Sequence, residues 1–391
     1  MAHLDVAERR ARLMTRHGLA ASTRTRDPVA AAARLIALHA TDAPTVFLSV
    51  RARTDGVSPR DIERALVEDR TLVRWVGWRR TLFAAPRELL PVIHASTTHT
   101  IAARERRSVA GLLSASSVSS EPERWLAEAE AAVLAALNSR GEVSTGELID
   151  NPPTLATQVR TGAGTRWERS VRAGTLVLPL LAMCGLLVRT RPRGSWLSPQ
   201  FHWATTVNWL GGPLDHLDPA SARAAVVDHW LRAFGPGTEA DLRWWTGWPA
   251  RDVRAALAAV PHAEVGLDGA VGYVLADDLD PTPVPEPAAA LLPTLDATTM
   301  GWRDRDWYLG GHAGRLVDSA GNAGPTVWWA GRVVGGWAQR RDGEIVTGLL
   351  EDVGAAAAQA IADEAERVHN WLDGVRLAPG ALPPYQRSLT D

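Results

Sequence analysis

The run Leu38-His39-Ala40-Thr41-Asp42 holds the residues best suited to chemistry. An imidazole and a hydroxyl two positions apart can together hold and polarise one water. Asp42 beside them adds a carboxylate able to steady positive charge. The same residues also suit a helix boundary, with His39 closing one helix and Thr41 and Asp42 capping the next, which Pro44 opens.

A second cluster lies in LVRWVGWRRTLF, where Arg74, Trp75, Trp78, Arg79, Arg80 and Thr81 fall close together. Arginine contacts phosphate, and indole faces accept unstacked bases, so the cluster suits nucleic-acid contact. Strand neighbours alternate faces, so one Trp is expected inside and one outside. A core role for both indoles, with ordinary surface arginines, is the competing reading. Arg189, Arg191 and Arg193 sit around RPRG and are expected on one projecting loop.

Charge distribution agrees with a polyanionic partner. The chain has 391 residues and a formal net charge of −2. Residues 1–210 carry 28 Arg against 19 acids, and residues 211–391 carry 14 Arg against 25 acids, so one half is basic and the other acidic. All 42 basic residues are Arg, so no side-chain amine exists to form an imine, and a Walker-type phosphate loop is excluded.

Other chemistries find little support. One thiol, Cys184, argues against a disulfide scaffold or a multi-cysteine metal site. There is no HExxH pair, no G-x-S-x-G elbow and no GxGxxG loop, so neither metal nor cofactor is expected. The apolar stretch over 175–188 is interrupted by Pro179 and too short to cross a bilayer. The first residues are too charged for a signal peptide. A cytoplasmic, monomeric protein is expected.

Helix and turn signals then show how these residues are positioned. Helices are expected over 6–17, 28–38, 44–53 and 59–68, followed by a hairpin around Gly77. Helix, helix, helix, hairpin is winged-helix order. The order recurs over 120–210, with a helix at 166–183 and a hairpin from Gly185, and again over 215–280, where Thr238 caps a helix. A Pro-rich linker over 277–293 leads to a β-rich unit at 289–375 with a closing helix, then an extended tail at 376–391. The fold class is α+β, mainly helical: three tandem winged helices, the first spanning 1–105, plus a small barrel or sheet.

Four segments carry a resemblance: RLIALHATDAPTVFLSVRAR; LVRWVGWRRTLF; AFGPGTEADLRWWTGWP; and LLPTLDATTMGWRDRDWYL with GNAGPTVWWAGRVVGGWAQRRDGEI. They resemble the winged-helix family that includes the AlkZ-like and YcaQ-like bacterial DNA glycosylases. The resemblance implies a C-shaped protein around a DNA channel, acting on duplex DNA that carries an alkylated purine. It implies excision of N7-substituted bases, bulky ones included, and so a nucleoid-associated repair or antibiotic self-resistance enzyme. The family's Gln-aliphatic-Gln or Gln-aliphatic-Asp motif falls here on His39, Ala40 and Thr41. Its Arg-Gly-Thr-Leu-His wing matches at Arg79, Thr81 and Leu82, with Arg80 and Phe83 in place of Gly and His. Replacement at both motif positions leaves two functions: a variant pair doing the same work, or a DNA-binding regulator or damage sensor without catalysis.

Overall fold

A computed structural model describes residues 2–377 and 382–390. Helix makes up 47% and strand 19%, so the class is mixed rather than all-α. Among the described residues no helix is long and apolar enough to cross a membrane.

Three helix-and-hairpin units repeat one strand order. In the first, the short strand Leu38–His39 pairs with Leu82–Pro86, which pairs with Leu72–Val76. In the second, Val143–Ser144 pairs with Phe201–Thr205, which pairs with Leu187–Pro192. The third reduces the edge strand to a bridge, Gly237 to Tyr273, beside His262–Leu267 and Ala270–Leu275. One helix of each unit starts from a full capping box: Ser58 with Asp61, Ser144 with Glu147, and Thr238 with Asp241.

The first two hairpins are not separate wings. Arg74 pairs with Arg189, joining both units into one six-stranded sheet. The C-terminal unit is an open antiparallel meander, Ala289–Leu292, Thr326–Trp329, Arg332–Gln339 and Ile345–Leu349, packed against the helix Ala355–Leu372. Of the barrel or sheet expected, it is the sheet. One continuous apolar core runs from Leu13 through Trp78 and Trp230 to Leu372, while residues between Val109 and Trp203 form a second.

Four expected elements differ. The helix over 28–38 stops at Ala33, because Ile36 takes φ +65° and the backbone of Leu38 and His39 is drawn into sheet pairing. The helix over 166–183 begins only at Gly174; the preceding residues form the hairpin Gln158–Thr161 and Arg169–Arg172. The linker ends in the strand Ala289–Leu292, whose four residues are all buried. Within the tail, Pro384–Ser388 is a short helix with Gln386 buried and donating to the Pro325 carbonyl, while 378–381 and 391 lie outside the described residues.

The C-terminal unit is fastened to the first by a buried ion pair. Arg53 and Asp296 are both 0% exposed. Arg53 donates to both carboxylate oxygens, at 2.6 and 2.9 Å, and to the Ser49 carbonyl and Thr298 hydroxyl. The Ser49 hydroxyl and Thr298 N–H also donate to Asp296. Burial alone would push this carboxyl up, but Arg53 and these hydrogen bonds hold it below the ordinary range. Arg51 adds an ion pair to the buried Glu364 of the closing helix. Removing one partner strands a buried charge, so Asp296→Asn should destabilise the protein by about 3–5 kcal/mol, measured as a lower denaturant midpoint. An unchanged midpoint would contradict this role for the pair.

Candidate active site

His39 is placed by sheet pairing. Its residue lies opposite Phe83, and the next N–H, of Ala40, donates to the Leu82 carbonyl at 2.8 Å. The half-buried imidazole meets the Phe83 ring edge-on, with centroids 5.7 Å apart. It lines a cavity of about 140 Å³ with Trp78, Arg79, Thr81, Trp244 and Trp245 among the walls, room for several waters. Thr41 is exposed and Asp42 half-buried, and both line an adjoining cavity of about 330 Å³. Leu295 and Asn322 line both cavities. His39 and Thr41 therefore flank a shared wall rather than facing one space together.

The helix-boundary reading of these residues fails in part. His39 is in a strand and closes no helix. Asp42 holds the N-cap position of the helix Ala43–Arg51, yet its side chain caps no backbone N–H. It accepts instead from the Thr45 hydroxyl, which is also 3.0 Å from the Thr294 carbonyl. Its carboxyl is raised by burial, with the Thr45 hydrogen bond opposing.

The imidazole makes no hydrogen bond within the described residues, and its Nδ1 is buried without a partner. Burial first, then the nearby Arg79 cation, lowers its pKa to about 4. The ordinary value near 6.5 would have it protonating in mildly acid solution. Here it stays neutral until the pH nears 4.

Of the arginines and aromatics assigned to nucleic-acid contact, three are buried: Arg74, Trp75 and Trp78. Trp75 and Trp78 are each 1% exposed, so neither indole projects. Trp78 packs on Trp245 at 4.4 Å, and Trp75 meets His94 edge-on. Arg74 donates to the Thr190 carbonyl inside the sheet and lies over Phe201; burial lowers its pKa to about 10. Arg189 lies half-buried over Trp203 on a strand, not on a loop. Arg80 and Arg191 are exposed but paired with Glu105 and Glu142. Arg79 and Arg193 are exposed and have no carboxylate partner among the described residues, and Thr81 is half-buried.

Trp244 and Arg305 went unnoticed in the sequence. The guanidiniums of Arg79 and Arg305 lie over the Trp244 ring at 4.9 and 4.7 Å. They come from three separate units, and no local spacing signals the stack. Backbone strain also gathers here: Arg79, Arg80 and Leu295 take φ of +55°, +60° and +56°. Such conformations are uncommon outside glycine and cluster at functional sites. Among the described residues no three His, Cys, Asp or Glu come together as a metal site.

A family model described as DNA glycosylase AlkZ-like matches residues 32–371, spanning His39, the wing and the strained loop. The chain belongs to the AlkZ-like DNA glycosylase family. It is accordingly an enzyme that breaks N-glycosyl bonds in DNA. Among solved structures, Streptomyces sahachiroi DNA glycosylase AlkZ is similar with a TM-score of 0.72 and 20% identity, covering 94% of this chain and 97% of that one. At that identity the likeness is one of fold. The curated proteins offer no match in sequence.

The His39 imidazole should stay neutral from pH 8 to near 5 and protonate only toward pH 4. The check is a histidine NMR titration, with the His39 midpoint expected near 4. Arg79→Ala should move that midpoint upward, since a neighbouring positive charge is removed. A midpoint at 6.5 in the parent protein would show the imidazole to be solvated.

Proposed function

We propose that this chain is a monofunctional DNA glycosylase that excises N7-alkylated purines from duplex DNA by attack of water. The observation that carries the reading is the unpartnered, neutral imidazole of His39 on the wall of a small aromatic cavity. Its units at 1–105, 120–210 and 215–280 act as winged helices around a DNA channel, and 289–375 completes the site. The shared strand order and the Arg53–Asp296 tie support that organisation.

N7 alkylation makes the purine cationic, so the base leaves neutral when the bond from N9 to C1′ breaks and the electron pair passes into its ring. A strong general acid is unnecessary. The demanding part is the positive sugar and the water that must meet it. With its pKa near 4, His39 is a poor proton acceptor, so it accepts a hydrogen bond from the water and aims it. Thr41 supplies a hydroxyl from the adjoining cavity. Asp42, free of capping duty, lends a carboxylate from the adjoining cavity to the positive charge that develops. Water oxygen bonds to C1′, its proton passes to solvent, and an intact abasic site remains. Of the arginines assigned to DNA, Arg79 and Arg193 are exposed without a carboxylate partner among the described residues and are available to phosphate.

Single-turnover assays on an N7-methylguanine duplex should show free base and alkali-labile sites. Asp42→Asn should slow release by about 10²-fold and Thr41→Val by less. Borohydride should trap no covalent protein–DNA species. Tight binding without labile sites would instead favour a damage sensor, and a trapped adduct would contradict a monofunctional mechanism.

A further inference from the structure

Trp167 is 70% exposed, whereas every other tryptophan is buried or half-buried. It lies in the turn of the hairpin Gln158–Thr161 and Arg169–Arg172, which joins none of the larger sheets. Residues 162–170 are all exposed. Between 158 and 172 the chain carries four arginines, Arg160, Arg166, Arg169 and Arg172, against one acid, Glu168.

The turn is held by its own hydrogen bonds. The Glu168 carboxylate accepts from the Gly164 N–H at 2.9 Å. The Thr165 hydroxyl donates to the Gly162 carbonyl at 2.8 Å and accepts from the Trp167 N–H at 3.1 Å. A Cβ on Gly162, which takes φ +67°, would come within 2.9 Å of the Trp167 carbonyl oxygen. The root is fixed too: Val159 is 0% exposed in the second core, and the Arg160 N–H donates to the Ser116 hydroxyl. The indole is thus presented from a firm platform, with the Arg166 guanidinium over its ring at 4.7 Å.

Charge and shape select the occupant. Arg160 and Arg172 reach Glu168 and Asp150, but Arg166 and Arg169 have no carboxylate partner among the described residues. An exposed indole beside unpaired guanidiniums suits base steps flanked by phosphates, and a two-stranded ribbon fits a groove of duplex DNA. We propose that this hairpin is a second handhold on duplex DNA, separate from the His39 strand. Arg166 and Arg169 contact phosphates while Trp167 lies against bases in the groove. The contact needs no lesion, so it grips DNA flanking the damaged base. It rests on DNA as the family's substrate and not on which residue breaks the sugar bond.

The test measures binding of the full chain to an undamaged duplex of about 30 base pairs over a range of salt concentrations. Arg166→Ala combined with Arg169→Ala should weaken binding by about tenfold and lower the salt slope by about two. Trp167→Ala should weaken binding by about fivefold or more at unchanged slope, and Trp167→Phe should recover most of that loss. Base release from an N7-methylguanine duplex at saturating protein should stay within about twofold of the parent. Unchanged affinity and slope in every variant would overturn the proposal and leave the indole to a protein partner. Slower release at saturating protein with binding intact would also overturn it, placing the hairpin at the reacting centre. Binding is read on undamaged DNA, so a parent protein that released no base would remove the excision reading and leave this one standing.

Discussion

A guanidinium and a carboxylate, both sealed from water, hold the working surfaces of this protein in register. Arg53 follows the helix Ala43–Arg51, whose start is only a few residues from His39. Asp296 follows Leu295, which lines both cavities. Bridging them fixes the wall of the site to the strand that carries the imidazole. Desolvating two charges is expensive, and here the fork geometry and added bonds from Ser49 and Thr298 offset it. Such an arrangement tolerates the left-handed backbone of Leu295, which would relax in an unanchored loop.

The electrostatics follow from that geometry. Arg79 and Arg305 crowd one indole, and the His39 imidazole is kept neutral by burial and by Arg79. Carboxylates gather on the other side of the wall at Asp42 and Asp318. Positive charge therefore lines the smaller cavity at Arg79, and negative charge lines the larger one at Asp42 and Asp318.

Local signals in the sequence were reliable where the chain itself decides structure. Thr238 caps its helix as the sequence predicts, and Gly77 lies between the strands of the first hairpin. Long-range packing was not legible. Alternation along the hairpin assumes one wet face, but both faces of Leu72–Val76 are covered, which buries Trp75, while Trp78 lies past the strand in the turn Trp78–Arg80 and packs on Trp245. Arg74 and Arg189 look like surface cations until their strands meet across two units. The run before His39 is rich in helix formers, yet sheet pairing with Phe83 and Ala84 overrides local propensity. Residue type and spacing single out His39 and Thr41, and the resemblance sets the family motif on them, whereas their placement on either side of Leu295 depends on a loop some 250 residues away. Trp244 and Arg305 had no local signature at all.

The most direct measurement is single-turnover base release by His39→Gln and His39→Ala, with folding of each variant checked by its denaturant midpoint. An amide can still accept a hydrogen bond from water, whereas a methyl group cannot. The account predicts release by the glutamine variant within about tenfold of the parent and at least about 10²-fold slower release by the alanine variant. Equal rates for parent and His39→Ala would contradict it and move the reacting centre away from this strand.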